Sequence, residues 1–118
     1  MPTLLIADDS IFQRMILGRM AKSLGYDVLE ASDGNQCLEL LREHGPDAVL
    51  LDLNMPGLHG LDVLKAMRED GLSQPVVVIS ADIQETTRQR CMALGAKDIL
   101  YKPFDQQTLH QVLKDLVA

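Results

Sequence analysis

Five side chains stand where chemistry would need them: Asp8 and Asp9 directly after the apolar run at 4–7, Asp52 closing the run at 48–51, Ser80 closing 76–79 and Lys102 closing 99–101. Three crowded carboxylates repel one another, and each is harder to ionise unless a cation neutralises the group. Oxygen donors with no Cys or His beside them favour a hard ion such as Mg2+ or Mn2+, which keeps several waters and leaves positions open for phosphate oxygens. Beside such an ion a carboxylate serves as nucleophile towards a phosphoryl group, because that transfer needs mainly alignment and charge neutralisation. Lys102 would supply a mobile point charge and Ser80 a hydroxyl donor to the remaining phosphoryl oxygens.

Each residue alone has a plainer explanation. An acidic pair is usually a solvated loop, a Lys-Pro step a turn, and a Ser at a strand end a cap. Their shared placement requires elements that bring them together. The runs at 4–7, 48–51, 76–79 and 99–101 are short and unbroken, as suits strands covered on both faces, and Val28 to Ala31 reads as a further strand. Between them, apolar residues recur at helical spacing: Leu17, Met20, Ala21 and Leu24 after the N-cap Ser10; Cys37, Leu40 and Leu41 in a helix from about Asn35; Leu61, Leu64 and Met67; Thr87, Cys91 and Leu94; and Leu109, Val112, Leu113 and Leu116. Gly25, Gly45-Pro46, Gly71 and Gly95 end the first four.

Strands separated by helices of this length pair only in parallel, and right-handed crossovers spread the helices over both faces. The expected fold is α/β, a doubly wound five-stranded parallel sheet of flavodoxin-like order 2-1-3-4-5. Asp27 and Glu30 flank the second strand and suit an edge position. In such a sheet functional groups gather at the carboxyl ends of the strands, where Asp8, Asp9, Asp52, Ser80 and Lys102 stand.

The 118 residues, 47% of them hydrophobic, are expected to form one domain over 1–118. A net charge of −6, from 11 basic and 17 acidic residues, disfavours nucleic acid and anionic membrane surfaces as partners. No apolar run approaches the length of a membrane span and no secretory pattern opens the chain, so a cytoplasmic location is expected. The two cysteines, Cys37 and Cys91, lie in helical patterns and read as reduced core residues. His44, His59 and His110 lack ligand spacing and read as exposed, and Met55 is expected to shape the rim of the site.

These motifs resemble the receiver domains of two-component response regulators over essentially the whole chain. The matching stretches are Asp8-Asp9, Asp52-Leu53-Asn54-Met55-Pro56-Gly57 with Gly60, Ser80-Ala81, and Lys102-Pro103-Phe104 after Gly95-Ala96. The resemblance implies a phosphorylation-activated switch in which Asp52 is the phosphoacceptor. It further implies that Asp9, Asp52 and the Asn54 backbone carbonyl bind Mg2+ (or Mn2+), with Asp8 joining through water, while Lys102 and Ser80 contact the phosphoryl group. Asn54 and Asp82 occupy positions that tune phosphate lifetime, and Ser80, Ala81 and residue 99 form the switch region. The Lys102-Pro103 bond is a candidate cis peptide.

The phosphate is expected from a sensor histidine kinase or phosphotransfer protein. The signal would leave through a downstream protein target at the face of the fourth helix, fifth strand and fifth helix. Catalysis is confined to the domain's own phosphorylation and autodephosphorylation, and the expected state is a monomer, with dimerisation on phosphorylation left open. Without an output domain the signal leaves by contact or relay, unless the chain is a receiver from a longer protein. One departure stands out: Ile99 holds a position that is usually Tyr or Phe in the family. Tyr101, on the opposite face from Leu100, is not expected to inherit that role.

Three other readings compete. A haloacid-dehalogenase-type phosphohydrolase would need Asp-x-Asp at the nucleophile and a cap domain, whereas this chain has Asp52-Leu53-Asn54. A flavodoxin-like cofactor binder would need a Ser/Thr/Gly-rich loop where Asp8-Asp9 stands. A pseudo-receiver, binding partners without phosphorylation, is opposed by the intact set of site residues.

Overall fold

The structure, a computed structural model, describes residues 2–117. Five strands alternate with five helices: β1 (Thr3–Ala7), α1 (Ile11–Ser23), β2 (Asp27–Ala31), α2 (Gly34–His44), β3 (Ala48–Asp52), α3 (Gly60–Glu69), β4 (Val76–Ser80), α4 (Glu85–Ala93), β5 (Asp98–Tyr101) and α5 (Gln106–Val117). All strand pairs are parallel and the order is β2-β1-β3-β4-β5, the expected doubly wound sheet. β3 and β4 are buried along their whole length, which explains their unbroken apolar runs. β2, with exposed Asp27 and Glu30, lies at the edge.

Strand alternation divides the core between the two faces. Leu5, Val49, Leu51, Val78 and Ile99 pack with Cys37, Leu41, Val63, Leu64 and Cys91 of α2, α3 and α4. Leu4, Ile6, Leu50, Val77 and Leu100 pack with Leu17, Ala21, Leu109 and Leu113 of α1 and α5. Each fully buried leucine contributes roughly 1.5–3 kcal/mol over leaving it in water. Cys37 and Cys91 are buried free thiols, and burial with the nearby Asp33 charge pushes Cys37 up to about 12.

Local chemistry sets where the helices begin. Ser10 caps α1, its Oγ accepting the Gln13 N–H at 3.3 Å. Asp33 caps α2 by accepting the Gln36 N–H at 2.8 Å, which starts the helix one residue before the expected Asn35. Gly45, in the left-handed region at φ 53°, closes α2. At α4 no side chain of the capping residue Gln84 bonds to the helix. Asp82 does that work from two residues upstream, accepting from Gln84 N–H at 2.9 Å and Thr87 Oγ1 at 2.7 Å.

α3 begins differently from expectation. His59 is half-buried rather than idle at the surface, and its Nδ1 accepts the Leu61 N–H at 3.1 Å as the N-cap. An imidazole caps less well than a carboxylate, which also complements the positive end of the helix. His59→Asp should therefore raise stability by about 0.5–1 kcal/mol. Urea unfolding followed by circular dichroism measures this, and a less stable variant would contradict the capping role.

Candidate functional site

The parallel register brings the carboxyl ends of four strands level. Ala7 lies opposite Leu51, Asp52 opposite Ile79, and Ser80 opposite Tyr101. Asp8 and Asp9 therefore emerge beside Asp52, and one carboxylate oxygen from each of the three lies within 4.8 Å of the others. Lys102 reaches the same place from the end of β5, its Nζ 3.8 Å from both Asp8 Oδ2 and Asp52 Oδ2. The Lys102 backbone N–H donates to the Ser80 carbonyl at 2.9 Å, and the Lys102-Pro103 peptide is cis.

Asp8 and Asp52 are buried, whereas Asp9 is exposed at the mouth of this crater. Asp8 Oδ1 accepts the Ser10 N–H at 2.9 Å, but Asp8 Oδ2 is buried with no hydrogen-bond partner. Burial pushes the Asp52 carboxyl above its usual range, and the charges of Asp8 and Asp9 push the same way. Lys102 and the Asn54 N–H, which donates to Asp52 Oδ1 at 3.3 Å, work against that rise without cancelling it. One ammonium faces three carboxylates, and a buried carboxylate oxygen lacks a donor. An oxygen-only cluster with excess negative charge fits a hard divalent cation, which would satisfy Asp8 Oδ2 and offset the repulsion.

The remaining expected residues belong to the end of β4, the turn after it and β5. Ser80 is buried at the end of β4, and its Oγ accepts the Asp82 N–H at 2.9 Å. Ala81 is exposed between them. The Asp82 carboxylate is occupied by α4: the Thr87 hydroxyl first, then the Gln84 N–H, hold it below the ordinary carboxylate range. Ile99 is buried on the α3 and α4 side of the sheet.

Two expectations need correction. Met55 does not shape the rim: it is buried in the core cluster with α2 and α3. Tyr101 packs on the same side as Ile99, since lying opposite Leu100 returns it to that face, and it is paired in register with Ser80. The sequence reading also passed over the outer face of α1, where Ile11, Phe12, Met15 and Ile16 are 62%, 73%, 46% and 49% exposed. A groove of about 150 Å3 lined by Ile16, Met20, Lys102, Pro103 and Phe104 joins this face to the crater's edge. The signal was present: these side chains are apolar yet fall off the stripe made by Leu17, Ala21 and Leu24.

Comparison with known proteins agrees with this geometry. The family profile of the response regulator receiver domain matches residues 4–114. Protein PilH of Pseudomonas aeruginosa is 34% identical over 120 residues, covering 100% of this chain and 99% of that protein. The sensory/regulatory protein RpfC of Xanthomonas campestris is 39% identical over 119 residues, but this chain, 98% of it aligned, spans only 16% of that protein's length. Among solved structures, the receiver domain of the sensor histidine kinase PA1611 from Pseudomonas aeruginosa superposes with a TM-score of 0.89 at 28% identity, over 98% of this chain and 97% of that one. That structure holds a magnesium ion in its active-site cleft.

Proposed function

This chain belongs to the response regulator receiver domain family of two-component signalling, a family of phosphorylation-activated switches, and from that membership we propose that Asp52 is its phosphoacceptor. The observation that carries the reading is the convergence of Asp8, Asp9, Asp52 and Lys102 around one buried carboxylate oxygen that accepts no hydrogen bond. The receiver unit extends over the whole of 1–118, of which residues 1 and 118 lie outside the described residues.

Asp9, Asp52 and the Asn54 carbonyl would hold Mg2+ or Mn2+, with Asp8 as an outer acid. When bound, the ion supplies positive charge against a phosphoryl oxygen and removes the repulsion within the cluster. An Asp52 carboxylate oxygen attacks the phosphorus of a phosphohistidine; the P–O bond forms, the P–N bond breaks, and its electron pair leaves on the imidazole nitrogen, which takes up a proton from water. Lys102 follows the charge onto the phosphoryl group, and the Ser80 hydroxyl donates to it. Hydrolysis of the resulting acyl phosphate is the domain's own second reaction, and Asn54 and Asp82 hold the positions at which the family tunes its rate.

The switch follows from the hydrogen bonds that Ser80 must change. Turning its Oγ towards the phosphoryl group breaks the bond from the Asp82 N–H, and the Asp82 carboxylate is what holds Gln84 and Thr87 at the start of α4. α4 buries only Cys91 fully, so it is weakly held and free to repack against β5 and α5. With Ile99 in place of an aromatic ring, this bonded route supplies the coupling to the face where a downstream protein docks.

The donor, a histidine kinase or phosphotransfer protein, must carry its phosphohistidine to the crater, and the exposed apolar residues of α1 border the approach. Among the described residues no helix is long and apolar enough to cross a membrane; we assign the domain to the cytoplasm, where such donors present their phosphohistidines.

The test uses intact mass. Incubated with Mg2+ and a small acyl-phosphate donor, the protein should gain one phosphoryl group, and chelation of the divalent ion should prevent it. Equal labelling with and without the ion would overturn the cation-dependent reading. A second arm separates docking from chemistry: a Phe12→Ser, Ile16→Ser protein should be labelled normally by the small donor but at least about tenfold more slowly by a phosphorylated donor protein. Unchanged transfer from the protein donor would remove α1 from the approach.

A further inference from the structure

The Asp9 carboxylate is exposed, and among the described residues no hydrogen bond holds it, although the cation reading asks it to be a ligand. Something else must fix where it points. Its neighbour Asp8 is tied down at its N–H, which donates to the Ala31 carbonyl at 3.0 Å, and at its Oδ1, which accepts from the Ser10 N–H. The Asp8 carbonyl oxygen accepts from Arg14 Nη1 at 2.7 Å.

Arg14 comes from the first turn of α1 and is itself constrained. Its Nε donates to Glu30 Oε1 at 3.1 Å, and its side chain is only 14% exposed. Glu30 lies on β2, whose neighbour Ala31 accepts the Asp8 N–H. The guanidinium therefore ties α1, the β1 exit and the edge strand together with donors in a rigid fork, which a lysine ammonium on a flexible stem does not reproduce.

The Asp8 carbonyl and the Asp9 N–H belong to one planar peptide unit, so holding the oxygen sets the plane from which Asp9 departs. We propose that Arg14 is a positioning residue for the cation: by clamping the Asp8 carbonyl it aims the Asp9 carboxylate into the crater. This rests on the cation reading above, and it assigns to Glu30 the lesser role of steadying Arg14 at a half-exposed site. Groups that orient metal ligands from outside the coordination sphere typically govern affinity by about 10–100-fold.

Magnesium affinity measured by calorimetry on the full chain tests it. Arg14→Met, which keeps the apolar stem, should bind Mg2+ about 10–100-fold more weakly. Arg14→Lys should fall between that variant and wild type, and Glu30→Gln should stay within about twofold of wild type. In the metal-free state the Asp9 amide resonance should shift or broaden in Arg14→Met while the amides of β3 and β4 stay in place, a signature that general loss of stability would not give. A folded Arg14→Met that binds Mg2+ like wild type would overturn the proposal alone. If Arg14→Met does not fold, wild-type affinity in Arg14→Lys overturns it equally. Failure of wild type to bind Mg2+ at all would instead bring down the cation reading and, with it, the role of Arg14.

Discussion

Asp52→Asn should take up no phosphoryl group from any donor, and in metal-free buffer at pH 7 it should be more stable than wild type. The first effect is a complete loss, since an amide is no nucleophile towards phosphorus under these conditions. The second follows from Asp52 being held above its usual carboxyl range by burial and by Asp8. A folded-state value above the unfolded one means that the ionised form is penalised in the folded protein. That penalty is absent below the unfolded carboxyl value of about 3.9, grows as pH rises through the raised folded value, and is present in full above it.

Removing the charge at neutral pH should thus add on the order of 1 kcal/mol, and the gain should shrink as pH falls towards 4. Asp82 and Asp105 are held low by bonds from Thr87 and Thr108 and act in the opposite direction, but they are common to both proteins and drop out of the difference. Urea titrations of both proteins at several pH values supply the comparison. Wild type more stable than Asp52→Asn at pH 7 without metal would contradict the crowded-carboxylate description.

Gly60→Ala should both destabilise the fold and disturb the crater. A Cβ at residue 60 would lie 2.7 Å from Leu53 Cα and 2.8 Å from the Asp52 carbonyl oxygen, both backbone atoms with no flexible end to yield. Gly60 begins α3 and donates its N–H to the Leu53 carbonyl at 2.9 Å, so it fixes the loop that follows the phosphoacceptor. Overpacking against backbone costs about 1–3 kcal/mol, and the shift falls on the residues flanking Asp52. Thermal unfolding and phosphoryl labelling of Gly60→Ala should both decline; a variant with wild-type stability and labelling would show that α3 does not brace the site.

The sheet was legible because its inner strands β1, β3 and β4 are covered on both faces and appear as unbroken apolar runs, while the charges of Asp27 and Glu30 mark β2 as an edge. Asp8, Asp52, Ser80 and Lys102 were legible for the same reason: a polar residue ending such a run lies at a strand's carboxyl end. Side chains acting through local bonds were not. His59 carries no ligand spacing, and its role as a cap appears only once α3 is known to start at Gly60. Asp82 was placed near the phosphate, yet its carboxylate bonds to the first turn of α4, an arrangement set by the turn after β4 rather than by residue type. Arg14 lies in helical register with Ile11, Leu17 and Gly18, but nothing in its spacing announces a carbonyl across the β1 exit. Tyr101 shows a different limit: alternation was known, but the conclusion drawn from it was reversed until Ile99 and Tyr101 were seen packing on one side.

The most direct measurement is a crystal structure grown with Mg2+ and beryllofluoride, which imitates a phosphoryl group on a carboxylate. The account predicts the fluoride adduct on Asp52, the ion between Asp9, Asp52 and the Asn54 carbonyl, and Lys102 and the Ser80 hydroxyl drawn onto the adduct. An adduct on a different residue, or an ion bound away from Asp9 and Asp52, would contradict it.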